Sequence, residues 1–153
     1  MKVVAYRLVK QKYRDTAFDG EGARLYGGRW NSPGRACVYL TSSESLAMLE
    51  VMAHLQDYQL LSQYALYLLA LPSALVSQIS SDCLPDNWRD MPAPPETAEM
   101  GDEWLASNVS LALALPSVVV PREINYLLNP NHPEFDTIVH AAIELPFTPD
   151  PRL

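Results

Sequence analysis

Apolar positions along the chain fall into blocks of two spacings. Val3-Val4-Ala5-Tyr6-Arg7-Leu8-Val9 is a β-branched run with partial alternation and predicts a strand. Val38-Tyr39-Leu40 predicts a second, short and buried, and Ser43 behind it is a natural N-cap for a helix. Stepping that helix at about 100° per residue gathers Ser43, Glu50, His54 and Asp57 on one stripe. Leu46, Ala47, Met48, Leu49, Val51, Met52, Ala53 and Leu55 occupy nearly all the rest, which predicts a buried helix whose polar stripe faces a slit of solvent or a polar cleft.

Further on, Tyr64 to Leu71 has strand length and closes at Pro72, although its periodicity does not separate it from a helix. Glu96 to Asn108 predicts a helix that turns Trp104 and Leu105 inward, weakened by Gly101. Leu111 to Pro121 reads as a strand broken at Pro116, since proline cannot donate to a ladder, and Ser117 sits at the break. Ile138 to Phe147 predicts a last strand. Between these blocks, Lys10 to Gly28 is polar and glycine-bearing and reads as a long loop. Pro85, Pro92, Pro94 and Pro95 break the region around Trp88 into a surface excursion or a lid. Asn125 to Pro133 is rich in turn formers. Strands and helices out of strict alternation predict an α+β fold, one compact domain over residues 1–153 with a mixed or antiparallel sheet.

Composition narrows the class. Of 153 residues, 48% are apolar and 19% charged, so the chain is a folding one and not a disordered one. No apolar run approaches the ~18 residues of a membrane span, and the first residues lack the apolar stretch of a signal peptide. The expectation is a cytoplasmic protein without a membrane partner. Cys37 and Cys83 are too few for a disulfide framework, and both are read as reduced, mostly buried thiols. His54, His132 and His140 show no ligand spacing, so no metal is expected. Residues 1–40 hold eight of the eleven basic residues and three of the eighteen acidic ones, a net +5. The remainder carries −12 within the total of −7. Such a balance argues against direct nucleic-acid binding, whereas the basic quarter either suits an anionic small molecule or is scatter on a solvated face.

Candidate chemistry concentrates between Leu25 and Glu50. Gly27 and Gly28 let a loop bend and present Arg29, whose planar fork suits phosphate or carboxylate, or equally pairs with a surface acid. Glu50 is either a carboxylate on a cleft wall or a solvated side chain in an i,i+4 contact with His54.

Tyr6-Arg7, Gly28-Arg29-Trp30-Asn31, Val38-Tyr39, Ala47-Met48-Leu49-Glu50-Val51, Leu115-Pro116-Ser117 through Pro121, Asn125-Tyr126-Leu127-Leu128-Asn129-Pro130 and His132-Pro133 together form an ordered pattern. It resembles the RES-domain family, named for an arginine, a glutamate and a serine, over almost the whole chain. The resemblance implies an ADP-ribosyltransferase-like fold. It also implies a toxin of a bacterial type II toxin–antitoxin pair that depletes NAD, partnered by an Xre-like helix-turn-helix antitoxin. A homodimer or a toxin–antitoxin hetero-oligomer is compatible with it, and NAD is a substrate, so no cofactor is expected.

Carried onto this chain, the resemblance makes Glu50, Arg29, Tyr39 and Ser117 the catalytic set, with Arg7, Trp30, Asn31 and Asn125 as substrate-binding positions. Cleaving the nicotinamide–ribose bond builds oxocarbenium character on the sugar. A carboxylate beside it stabilises that charge and accepts a 2′-OH hydrogen bond. Glu50 is assigned that role, Arg29 the pyrophosphate, Tyr39 the nicotinamide or ribose, and Ser117 a ribose hydroxyl or phosphate oxygen. Ser117 is not read as a nucleophile, because no histidine base is associated with it. The acceptor is water, giving hydrolysis, or inorganic phosphate, giving phosphorolysis; the alternatives are ADP-ribosyl transfer to a macromolecule and a catalytically dead binding module.

Overall fold

The computed structural model describes residues 1–153. Seven strands form one sheet: β1 (Lys2–Lys10), β2 (Val38–Thr41), β3 (Tyr64–Pro72), β4 (Val76–Gln78), β5 (Ala112–Pro116), β6 (Ile124–Leu128) and β7 (Ile143–Leu145), in the order β4-β5-β6-β2-β1-β3-β7. Only β4 and β5 run parallel, so the sheet is mixed, in agreement with the expected α+β class. The long β1 and β3 pair along nine residues, from Lys2 opposite Pro72 to Lys10 opposite Tyr64. By contrast β1 meets β2 at one position, Tyr6 opposite Thr41. The strands therefore splay on either side of that bridge.

Strand alternation sends successive side chains to opposite faces. Ala5, Val38, Leu40, Leu69, Ala112, Ala114, Tyr126 and Leu128 line one face. It is closed by Phe135, Ile138 and Val139 of a short helix, α4 (Phe135–His140), and by Phe18. The opposite face is covered in two halves. Over β5 and β6, Leu113, Leu115 and Leu127 pack with Trp30, Trp104 and Leu105; over β1 and β3, Leu8 and Leu66 pack with Ala47 and Leu61. The candidate site lies where those halves meet, above β2 and β6.

Two helices form that cover. In α2 (Glu44–Met52), Ser43 accepts a hydrogen bond from the Leu46 amide at 3.1 Å, the cap expected from sequence. In α3 (Pro95–Ser107), proline occupies the first turn and Asn108 closes the helix in the left-handed region. Gly101 of α3 lies directly on the Trp30 carbonyl, and the Asp102 carboxylate accepts from the Ser32 amide at 2.9 Å. Seventy residues away in sequence, α3 is thus the anvil for the glycine loop.

Several expectations are corrected. The helix behind Ser43 ends at Met52, where the His54 amide turns back to the Val51 carbonyl; His54 and Asp57 lie beyond it. Asp57 instead caps a 3-10 turn by accepting from the Gln59 amide. Nor is α2 buried all round: Leu46 and Ala47 are buried, while Leu49 is exposed. Asn125 to Leu128 belongs to the central strand β6, with the turn beginning at Asn129. Ile138 to Phe147 splits into the end of α4 and the edge strand β7. Lys10 to Gly28 holds a 3-10 segment and a short helix, α1 (Glu21–Tyr26). Cys37 is buried as expected, but Cys83 is exposed.

Candidate active site

The glycine loop begins where α1 ends. Gly27 adopts φ +72°, and Gly28 and Asn31 exchange backbone hydrogen bonds, closing a turn with Arg29 and Trp30 at its tip. Trp30 points inward and is 3% exposed, so it anchors the loop against Trp104 and Leu105. Asn31 is as deeply buried. Its amide donates to the carbonyls of Ala23 (2.8 Å) and Arg35 (3.0 Å), and its Oδ1 accepts from the Tyr39 hydroxyl at 2.6 Å. The Tyr39 oxygen in turn accepts from the Trp30 amide at 3.1 Å. A Cβ on Gly28 would stand 2.6 Å from that oxygen, which explains glycine there. Trp30, Asn31 and Tyr39 thus form the loop's foundation, and none of the three bonds the Glu50 carboxylate.

Arg7 supports the same region from below. Its Nε donates to the Ala17 carbonyl (2.7 Å) and its Nη1 to the Tyr39 carbonyl (2.9 Å), in the splay between β1 and β2. Burial lowers its pKa to about 10, with Cys37 and Asp19 pulling the other way.

Glu50, Ser117 and Asn125 come together, although they lie on α2, the end of β5 and β6. Ser117 is fully buried, and its Oγ donates to Glu50 Oε1 at 2.7 Å. The same Oγ accepts from the amides of Val119 (3.1 Å) and Val120 (3.0 Å), which polarises the hydroxyl toward the carboxylate. Asn125 Nδ2 donates to the same Oε1 at 2.8 Å. One carboxylate oxygen is therefore held by two donors, and Oε2 remains to act on a ligand. Asn125 Oδ1 is buried with no donor within reach, a second acceptor beside the carboxylate.

Arg29 shares the field of this carboxylate. Burial lowers its pKa, and Glu50, Asp90 and Tyr39 raise it in opposition. Its guanidinium is largely engaged: Nη1 donates to the carbonyls of Trp88 and Asp90, both at 2.9 Å, and Nη2 contacts Met91 Sδ. The segment from Trp88 to Met91, read from sequence as a surface excursion or a lid, is held by Arg29 beside the site. Two hollows of about 380 and 450 Å³ lie away from these groups, one beside Lys10 and Tyr64 and one behind Arg35 and Asn129. Neither gathers a carboxylate, so side-chain convergence and not concavity defines the site. No three His, Cys, Asp or Glu side chains surround a common point, and no helix is long and apolar enough to cross a membrane.

Two outcomes follow from this geometry. Ser117→Ala strands the amides of Val119 and Val120 and frees Oε1 from one donor. It is expected to cost about 1–3 kcal/mol in stability and, by melting and turnover measurements, to weaken both fold and activity. The second concerns alkali. Burial pushes the Cys37 thiol up to about 12 from 9.0, and burial likewise raises Tyr39. A raised folded pKa contributes stability that is complete below the unfolded value and is lost as pH climbs through the folded one. Denaturant midpoints are therefore expected to fall between about pH 9 and 12, less steeply in Cys37→Ala.

A chain of the crystal structure of the M. tuberculosis MbcT–MbcA toxin–antitoxin complex superimposes with a TM-score of 0.66 at 18% identity, covering 95% of this chain and 85% of that one. The likeness is one of fold. The sequence is more specific. The RES domain matches residues 4–150, and the chain belongs to the RES-domain family. Toxin Res of Yersinia enterocolitica is 44% identical over 99% of both chains. A Prs ADP-ribosylating toxin of a Sphingobium species is 36% identical over 80% of this chain and 78% of its own.

Proposed function

We propose that this protein is a toxin that depletes NAD by cleaving its nicotinamide–ribose bond. The observation that carries the reading is the Glu50 carboxylate, pinned at Oε1 by Ser117 and Asn125 and open at Oε2. Fixing one oxygen orients the other at no cost during reaction, which is how a preorganised charge stabilises a developing cation. Oε2 accepts from the ribose 2′-OH while the C1′–N bond breaks, its electron pair leaving with neutral nicotinamide. An incoming water or phosphate then forms the new bond to C1′; water releases its proton to solvent.

Arg29 contributes positive potential, and Tyr39, Asn31 and Trp30 hold its loop in place. Arg7 acts on the same region through the Tyr39 carbonyl. The proposal keeps an Xre-like antitoxin as the partner that covers the Glu50 site in the cytoplasm. Incubating the purified protein with NAD, with and without phosphate, and identifying soluble products tests it: nicotinamide with ADP-ribose or ADP-ribose 1″-phosphate is the expected result, and intact NAD contradicts it.

One relative favours a second reading. The Sphingobium protein bears the name of an ADP-ribosylating toxin, so the same half-reaction with a macromolecular acceptor is the alternative. Label from NAD appearing on a macromolecule instead of in soluble product decides for transfer.

A further inference from the structure

The segment from Trp88 to Met91 crosses between the two walls of the site. Arg29 holds its carbonyls from the glycine-loop side. On the other side, Arg89 Nη2 donates to the Val118 carbonyl at 2.9 Å, one residue beyond the serine that pins Glu50. A four-residue strap thus ties the arginine loop to the serine turn. The two guanidiniums end in different states. Arg29 spends both Nη atoms on the strap and lies in the field of Asp90, whereas Arg89 is exposed, takes part in no ion pair and commits one of its five donors.

We propose that Arg89 is a substrate-binding residue, receiving the pyrophosphate of the dinucleotide at the mouth of the Glu50 site while Arg29 fixes the strap that carries it. The inference rests on the NAD reading for the identity of the ligand, and on the uncommitted charge of Arg89 beside the serine turn for its anionic part. Its four remaining N–H donors present a fork suited to bidentate phosphate contact. The strap fixes Arg89 to the Val118 carbonyl, one residue from the serine that pins Glu50. None of the residues that carry the family resemblance lies in this strap.

The test measures ADP binding by calorimetry, and NAD turnover, in the wild type, Arg89→Gln and Arg89→Lys. Losing charge-assisted hydrogen bonds is expected to weaken ADP binding about 10-fold or more in Arg89→Gln. KM for NAD rises in step while kcat stays within about threefold, the signature of a ground-state contact; Arg89→Lys recovers part of the affinity as a point charge. Equal ADP affinity in wild type and Arg89→Gln, or no ADP binding by the wild type, overturns the proposal. So does a fall in kcat with KM unmoved, which would mean that Arg89 only props the Ser117 turn. A wild type that binds ADP through Arg89 but releases no nicotinamide sinks the cleavage reading and leaves this one standing. Cleavage with an unchanged KM in Arg89→Gln does the reverse.

Discussion

Glu50→Gln is expected to lower nicotinamide release by about 10² to 10³, the usual loss on removing one preorganised electrostatic partner from a developing charge. The substitution preserves shape. The amide oxygen takes the place of Oε1 and still accepts from Ser117 and Asn125, whose hydrogen bonds stand at 2.7 and 2.8 Å in the native chain. What disappears is the negative charge at Oε2. The deficit therefore belongs in kcat, with KM for NAD nearly unchanged, because the ground-state pyridinium ribose carries little of the charge that Glu50 meets in the transition state. Melting temperature is expected to stay within a few degrees of wild type. A variant that folds and turns over at full rate removes the carboxylate from the mechanism, whatever the family resemblance.

The parts of this site that were legible in the sequence are those that break a local rule. Ser117 follows a proline that ends a strand, and Glu50 is the acid on an otherwise apolar helical stretch. Both anomalies are what a functional position leaves behind. Asn125 is assigned to the site by the resemblance, but its place in a strand is not legible. Asparagine with Asn129-Pro130 close behind reads as turn chemistry, yet Asn125 sits in a central strand because its amide is needed at the carboxylate. The last helix was missed differently. Ile138 and Val139 favour a strand by propensity, but with Phe135 they stand at i, i+3 and i+4, and that spacing lays all three on the sheet. Tertiary burial outweighed β-branching. Helix length was overestimated because the polar stripe through His54 and Asp57 coincided with a helical period, while no capping signal marked the stop at Met52. Arg89 was beyond reach, since only the folded strap brings it to Val118.

Gly101→Ala is the substitution expected to do most damage to the fold. In a helix interior glycine normally weakens the element, and alanine improves it by about 0.5–1 kcal/mol. Gly22 is the local example: it lies in α1 with nothing within 4 Å of an added Cβ, so Gly22→Ala is expected to be neutral or mildly stabilising. At Gly101 the sign reverses. The new Cβ would stand 1.6 Å from the Trp30 oxygen and 2.6 Å from its carbonyl carbon. These are backbone atoms, and they cannot rotate away. Either α3 lifts off the glycine loop or the loop moves, and the Asp102 bond to the Ser32 amide couples the two. Overpacking of this kind costs about 3 kcal/mol or more, at the upper end of measured small-to-large changes. For a chain of this size that corresponds to a drop of roughly 6–12 °C in Tm. Displacing Trp30 also moves its neighbour Arg29 and so the strap that Arg29 holds, so residual folded protein is expected to show a raised KM as well. Thermal melts of Gly101→Ala and Gly22→Ala side by side decide the matter. If both melt with the wild type, α3 does not bear on the loop as closely as these contacts require, and the account of how the arginine is held in place fails with it.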